Sequence, residues 1–549
     1  MWSCRSGAAR LVGMSATVTV NDLLDGHVIL DVQCLDRVYL NGYVPNLQVG
    51  GQVVTFMTRH LGYRIPSPAI MEKIGTQFRQ DISSFAEDHH IPVVRFKKAD
   101  RKIDVMRCYL DAQAGTGVSG VAAIGVAQEF QNVFAANQHH GNSGIPWFSF
   151  TKADRRVTCF YFYLWDTDFG ASFIKICTYF PYPIKVWING HEWAKRQATA
   201  AGIGFTSLSN GFATCDDPET LQAICDRLGP GTIDVFFERW MSQLPVPLTE
   251  HDRTDGYWWE LSMRQVEVSR TLVFDAPRRA RAFFEALVVD NLDIGRPDKV
   301  ELIFTGPPHR GRPHKLDCVP KTSIVSRDTD VTVNAFYKHS RIKQYLKDGR
   351  ALRIETVVNS PDDLRCHRRL QHLDQLQTNA RAVNSRLLDT ERVGQGCVLA
   401  SPAFERVALS SLTADGRRAP ALRFGDPRVM ALLGALCVGL NALGFTNRSL
   451  RAQVSRLLGA AYTVNQMSYD LGRLRLNGLI ERIPDTNTYA LTADGQRVAI
   501  FYIKVHNRLL RPLLAADQPP APPELRTALH TIDQHVRGYI DHARLKNAA

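Results

Sequence analysis

Apolar residues recur along this chain with two periods, and the changes of period mark out its elements. Val28-Ile29-Leu30-Asp31-Val32 and Pro92-Val93-Val94-Arg95-Phe96 are β-branched runs that predict strands, and Val121-Ala122-Ala123-Ile124-Gly125-Val126 predicts a buried one. Between the last two, Arg101 to Ala114 puts Val105, Met106 and Leu110 on one helical face, so this stretch reads as a βαβ unit. The polar run Gln138 to Gly144 predicts a loop. Val157 to Trp165 and Ser172 to Phe180 predict a hairpin around the turn Asp166-Thr167-Asp168-Phe169-Gly170, followed by a short strand at Lys185 to Ile188. Asn189 can cap a helix from His191 to Ala201. Helical patterns dominate 217–292. Val300 to Phe304 predicts a strand, Gly306 to His314 a basic Gly/Pro loop, and 331–337 another strand.

The last third is more regular. Leu432 to Leu443, Ser449 to Leu458 and Val464 to Leu476 predict three helices, followed by a two-stranded hairpin and a helix from Asp494. A Pro-rich spacer at Gln518 to Pro523 leads to one terminal helix. At 549 residues the chain exceeds what one core serves. The expected divisions are a flexible extension at 1–24, an α/β domain at 25–155 and a hairpin-plus-helical domain at 156–300. A basic α+β region at 301–420, a winged helix-turn-helix at 425–515 and a helix at 525–549 follow. The expected fold class is therefore α+β multidomain: an N-terminal α/β segment, a mixed sheet/helix middle, a basic β-containing region and a C-terminal winged helix.

Composition narrows the function classes. Hydrophobic residues at 45% and charged residues at 22% exclude a wholly disordered chain, and no apolar run reaches the ~18 residues of a membrane span. Met1 to Gly13 lacks the apolar core of a secretory signal, and Met14 precedes a conventional start, so the first residues read as an extension. The 11 cysteines are scattered without a C-x-x-C pair, which points to reduced thiols and a cytoplasmic location. Lys and Arg total 66 against 54 Asp and Glu. The excess is confined to two windows: 306–392 holds 17 against 10, and 425–515 holds 11 against 5. A polyanion, DNA first and RNA as the alternative, is the expected partner, with no membrane. Nothing in the pattern specifies an oligomeric state.

In the second window, Met467, Leu471 and Leu474 share one helical face, and Gly478 supplies a left-handed C-cap. That leaves Gln466, Tyr469, Asp470 and Arg473 on the expected outer face, with Arg475 beside them. Ile480 to Ile483 and Thr488 to Thr492 form the hairpin, whose Arg482 can reach a phosphate. The run Arg473-Leu474-Arg475-Leu476-Asn477-Gly478-Leu479-Ile480 and the later Leu491-Thr492-Ala493-Asp494-Gly495 resemble the winged helix-turn-helix domains of bacterial regulators. The resemblance implies a recognition helix entering the major groove of duplex DNA.

In the first window, Lys338, Arg341, Lys343, Lys347 and Arg350 interleave with Tyr337 and Tyr345, a pattern suited to single-stranded nucleic acid or to an edge strand kept soluble by charge. The next strand, Ala351 to Asn359, alternates Arg353, Glu355 and Val357 with Leu352, Ile354 and Thr356. Its Tyr…Lys…Leu-Arg-Ile-Glu pattern is loosely similar to replication initiators of small phages and plasmids. That likeness implies Tyr345 as nucleophile and Glu355 as metal ligand or base. The paired histidines of those nickases are missing, since His309 and His314 are five apart and His89-His90 are adjacent. In the plainer reading, Glu355 pairs with Arg353 or Arg350.

Asp166 and Asp168 at a hairpin tip are the second candidate catalytic pair, as ligands for Mg²⁺ or Mn²⁺ in phosphodiester cleavage. Glu260 and Glu267, read as one helix face, or Glu129 can complete the site. Turn chemistry alone also explains aspartates there. Gly115 to Gly120 spells G-x-G-x-x-G but follows a helix and precedes a strand, the reverse of a dinucleotide site. Asp168-Phe169-Gly170 lacks the other kinase motifs.

Over nearly its whole length the chain is similar to a family of long bacterial proteins with no established activity. The matching segments include Gly125 to Glu129, Phe180-Pro181-Tyr182-Pro183, Asn189 to Gln197, Asn291 to Pro297 and Leu422 to Arg428. That likeness implies a mobile-element origin. The expected function is a nucleic-acid-binding protein of such an element, acting as a metal- or tyrosine-dependent nuclease or transposase-like enzyme. The alternative is a non-enzymatic regulator or ribonucleoprotein component, and a third reading is a small-molecule-sensing regulator with its pocket in 25–300.

Overall fold

A computed structural model describes residues 24–140, 146–295, 299–303, 321–327, 330–393, 402–413, 415–437, 444–484, 486–506 and 523–542. The basic loop at Gly306 to His314, with both of its histidines, and the core of the Pro-rich spacer lie outside the described residues. The chain forms two compact units, 29–274 with 299–385 and 1–28 with 275–298 and 386–549.

The first unit is built on one large sheet. Its strands in chain order are β1 (Val28–Tyr43), β2 (Val93–Arg95), β3 (Gly120–His140), β4 (Pro146–Asp166), β5 (Gly170–Cys177) and β6 (Ile184–Asn189). After a separate hairpin of β7 (Phe205–Leu208) and β8 (Gly211–Cys215) come β9 (Glu260–Phe274), β10 (Lys299–Ile303), β11 (Lys321–Arg327), β12 (Asp330–Tyr337), β13 (Ser340–Lys347) and β14 (Ala351–Val358). The spatial order is β10-β11-β12-β13-β14-β9-β1-β6-β5-β4-β3-β2. The sheet is mixed: β2 runs parallel to β3 and β10 to β11, while β3, β4, β5 and β6 pair antiparallel in sequence. The helix Lys102–Gly115 joins the parallel pair β2 and β3, as the βαβ pattern predicts. One sheet thus runs across the divisions expected at 155 and 300.

Two sequence expectations are corrected here. The stretch 217–292 is helical at Pro218–Asp226, Pro230–Met241 and Pro277–Gly295, but Glu260–Phe274 between them is a strand in the middle of the sheet. Its alternation of Met263, Gln265, Val266, Val268 and Leu272 satisfies strand burial, and β9 supplies the partner row that β14 requires. Likewise β13 lies between β12 and β14, so the basic Arg341–Lys347 segment is no edge strand.

Asn189 accepts from the backbone N–H of His191 (3.0 Å) and Glu192 (3.4 Å), which starts the helix Gly190–Ala200 as expected. Gly190 packs so tightly against β1 that a Cβ would overlap the Leu35 carbonyl oxygen. That close approach delivers the next side chain, His191, into the sheet interior, where it is fully buried.

The second unit contains the helices Pro427–Cys437, Asn447–Leu458 and Val464–Leu476, a hairpin and the helix Ala493–Val505. Its short strands are β15 (Ser411–Leu412), β16 (Arg418–Ala419), β17 (Ile480–Arg482) and β18 (Tyr489–Leu491), and Phe445 bridges to Tyr489 beside the last pair. Leu432, Leu436, Leu450, Val454, Met467, Leu471, Leu474 and Val498 form one apolar core. Burial of each such side chain stabilises by roughly 1.5–3 kcal/mol, enough to fix the helices on one another. Thr463 caps the Val464–Leu476 helix, and Gly478 follows it at φ +70°, both as read from the sequence.

Candidate functional site

Tyr345 and Glu355, far apart in kind but joined in the sequence reading, do meet. Lys343 lies opposite Glu355 and Tyr345 opposite Arg353 across the β13–β14 ladder. The Tyr345 hydroxyl donates to Glu355 Oε1 at 2.7 Å, and Lys343 Nζ donates to Oε2 at 3.2 Å. Burial and the adjacent Glu355 carboxylate raise the Tyr345 phenol above its ordinary range. Tyr345 therefore sits as a neutral donor, a poor starting state for the nucleophile that the nickase likeness implies.

Arg353 organises this cluster. It is wholly buried, and all five of its N–H donors are used. Nε donates to Glu355 Oε1 (3.3 Å), and Nη1 to Thr271 Oγ1 (2.8 Å) and the Asn210 carbonyl (3.1 Å). Nη2 donates to Asp36 Oδ2 (2.7 Å) and to His191 Nε2 (2.6 Å). Burial holds the His191 imidazole below its usual range, which keeps it neutral and able to accept that bond. For Asp36, burial pushes the carboxyl up, but the Arg353 and Arg37 cations outweigh it and the net shift is downward.

A third carboxylate completes the group. Carboxylate oxygens of Asp36, Glu267 and Glu355, from β1, β9 and β14, lie within 4.8 Å of one another. Glu267 Oε1 accepts from Gln265 (3.2 Å), while its buried Oε2 has no hydrogen-bond donor and sees Arg37 only at 3.8 Å. Burial, with Asp36 and Glu355 nearby, raises this carboxyl despite Lys343 and Arg37. Glu267 opens on a cleft of about 340 Å³ that Arg37, Tyr39, Phe173, Trp187 and Gln265 also line. Phe173 and Trp187 stack there at 6.0 Å and 7°. The arrangement can hold a proton or a cation between carboxylates beside an aromatic wall.

Of these residues the sequence reading named Tyr345, Glu355 and Lys343, and it paired Glu355 with Arg353. It placed Glu267 on a helix face with Glu260. On β9 the two, seven apart, fall on opposite sides of the strand, and Glu260 is instead exposed against Tyr43 (3.0 Å). Asp36 and His191 were missed, because their partner Arg353 is distant in sequence.

Asp166 and Asp168 are drawn together by an arginine. Asp166 is fully buried, and its Oδ1 accepts from the N–H of Asp168 (2.9 Å) and Phe169 (3.0 Å). Its Oδ2 accepts from Arg239 Nη2 (2.5 Å) and Trp240 Nε1 (2.8 Å), and Arg239 Nη1 also reaches Asp168 Oδ2 at 3.2 Å. Four donors fill the lone pairs that Mg²⁺ or Mn²⁺ would take, so this geometry is turn chemistry closed by a buried ion pair. Glu129 is likewise occupied, by Lys102, Lys175 and Tyr161. Burial alone raises its pKa, but these donors lower it to about 2. Because the folded value lies below the unfolded one (near 4.3), the stabilisation is complete above that value and is lost as pH falls towards 2. The melting temperatures of wild type and Glu129→Gln should therefore differ at pH 7 and converge below pH 4. Thermal melts across that range test this, and a constant difference rejects it.

The basic segment is largely engaged within the sheet unit. Lys343 pairs with Glu355, Arg350 Nε donates to the Phe274 carbonyl (3.2 Å), and burial lowers the Lys347 ammonium. Lys338 is exposed at the tight turn after β12, with φ 50°, and Arg341 is half-buried.

In the second unit the outward face of the Val464–Leu476 helix carries Gln466, Tyr469 and Arg475, all exposed, and Arg482 is exposed on the hairpin. Gln466 Oε1 accepts from the Thr463 N–H (2.8 Å), so its carbonyl serves the cap. Arg482 donates to the Thr486 carbonyl (2.7 Å) and Asn487 Oδ1 (2.9 Å) within the hairpin turn. Two outer-face expectations are corrected. Asp470 is fully buried and accepts from Arg428 Nη2 (2.9 Å) and from Tyr462, and Arg473, only 12% exposed, donates to the Ala421 carbonyl. Asp470 stands three residues after Met467 and four before Leu474, which turns it inward with them.

Among the described residues eight cysteines are unpaired, and no helix is long and apolar enough to cross a membrane. No protein family, no curated protein and no solved structure matches the chain.

Proposed function

We propose that this protein binds nucleic acid, duplex DNA first and RNA as the alternative, through a winged helix formed by residues 427–505. The observation that carries the reading is the exposed row Gln466, Tyr469 and Arg475 on a helix whose other face is core, with exposed Arg482 on the hairpin that follows. A helix with an open polar face and a capped N-terminus has the width to enter a ~12 Å major groove, and a hairpin arginine then meets the adjacent backbone. The basic excess of 425–515 adds a favourable field. Gel retardation with duplex DNA over a salt series tests it. Charge reversal at Arg475 and Arg482 together should weaken binding about tenfold or more and flatten the salt slope by roughly 0.9 per lost phosphate contact. Absence of any complex at tens of micromolar protein, or an unchanged salt slope in the double variant, would remove the proposal.

A second reading, metal-dependent phosphodiester cleavage, is favoured by one observation, the unbonded Oε2 of Glu267 facing Asp36 and Glu355. Oxygen-only ligands suit Mg²⁺ or Mn²⁺. Labelled DNA and RNA incubated with either ion should be cut by wild type and spared by Glu267→Gln. Intact substrate with wild type at high protein leaves the non-enzymatic reading standing.

A further inference from the structure

We propose that His60, His251 and Asp255 form a site for a zinc-class transition-metal ion, separate from the carboxylate cluster and from the helical interface. His60 ends a π-wound turn, Phe56–His60, closed by the Leu61 N–H on the Phe56 carbonyl at 2.9 Å. Its ring is held between Phe56 (5.2 Å) and Tyr257 (4.8 Å), and only 6% of the side chain is exposed. His251 and Asp255, four apart, project from the short helix Glu250–Thr254 and the residue after it.

The argument starts from the histidine's own donor count. Nε2 lies 2.6 Å from Asp252 Oδ1. That aspartate is buried and fixed, because its Oδ2 accepts from both the Thr249 N–H (2.6 Å) and hydroxyl (2.8 Å) of a capping box. A carboxylate only accepts, so Nε2 carries the ring proton and Nδ1 is left with a lone pair. Yet Nδ1 faces a second acceptor, Asp255 Oδ2, at 3.0 Å. Two lone pairs at that distance require a cation between them, either a second ring proton or a metal ion. His251 decides between these. Its Nε2 is 3.9 Å from the same Asp255 oxygen, its ring stacks on His60 at 5.0 Å, and the three ligand atoms all lie within 4.8 Å. A lone proton has no use for a third donor, whereas a metal does.

The geometry fits a small tetrahedral ion. Bonds of about 2.0–2.2 Å place neighbouring ligand atoms roughly 3.3 Å apart, which the 3.0 and 3.9 Å separations bracket. Two imidazoles with one carboxylate select zinc over Mg²⁺ or Ca²⁺, which prefer oxygen alone. Asp252 then acts as the outer carboxylate that fixes the tautomer and orientation of a metal-bound histidine. His251 and Asp255 are exposed, so the fourth position faces solvent and would take water or an oxyanion.

Chelator-stripped, tag-free full-length protein should bind one Co²⁺ with the visible bands of a four-coordinate ion, and Zn²⁺ should bleach them. Zn²⁺ should also raise the melting temperature. His251→Ala and Asp255→Asn, both at exposed positions, should weaken Co²⁺ binding at least tenfold and abolish the thermal shift. Asp252→Asn, which touches no metal, should weaken it ~10–100-fold. If Co²⁺ gives only the faint six-coordinate spectrum, or binds His251→Ala as well as wild type, the site is a protonated histidine between two aspartates and the proposal is overturned.

Discussion

Replacing Arg353 with methionine is expected to destabilise the sheet unit by about 3–5 kcal/mol, the cost of leaving buried carboxylates without their cation. The shape of the side chain is nearly preserved, so the loss is electrostatic. Asp36 and Glu355 would face each other with Glu267 inside 4.8 Å, and the Asn210 carbonyl, Thr271 hydroxyl and His191 nitrogen would lose their donors. Urea unfolding followed by a signal from the sheet unit gives the value. The companion measurement is a cycle with Asp36→Asn: neutralising one carboxylate removes part of the repulsion, so the double variant should lose less than the two single losses combined. Strict additivity, or a loss under about 1 kcal/mol for Arg353→Met, would mean that the five-donor network does not hold the strands.

The second large effect is expected at Asp166. Changing it to alanine strips acceptors from Arg239, Trp240 and two backbone N–H groups of the β4–β5 turn at once, a loss of about 2–4 kcal/mol. Asp166→Asn should recover part of this, since one amide oxygen still accepts. Mg²⁺ and Mn²⁺ should leave the wild-type melting temperature unchanged at this site, because a ligand that binds only the folded state would otherwise raise it. Asp166→Ala as stable as wild type, or raised in stability by either cation, would restore these aspartates as an open metal site.

Local grammar was legible from the sequence where a single segment contains both halves of the signal. The strands at Val28–Val32 and Val93–Arg95, the Asn189 cap, the Thr463 cap and the Gly478 terminator all belong to this kind. So does the cross-strand neighbourhood of Tyr345, Lys343, Arg353 and Glu355, because β13 and β14 are joined by a tight turn. What escaped depends on distant partners. β9 reads as part of a helical stretch until β14 and β1 flank it, and Arg353 meets Asp36 across 317 residues. Asp470 shows a different failure. A charged residue beside an apolar stripe is read outward by default, and only the opposing Arg428 and Tyr462 make its burial favourable. The His60 constellation failed for both reasons, since its anchor is the capping residue of a helix 192 residues away.

The position of β1 inside the sheet also bears on how the chain is made. Tyr39 pairs with Trp187, and the other flank of β1 is taken by Glu260–Phe274. During synthesis the first strand therefore emerges with both hydrogen-bonding borders open until much later segments arrive. Such long-range closure is slow and leaves an aggregation-prone border on nascent chains, so a ribosome-bound or early-acting chaperone has a natural client in this protein.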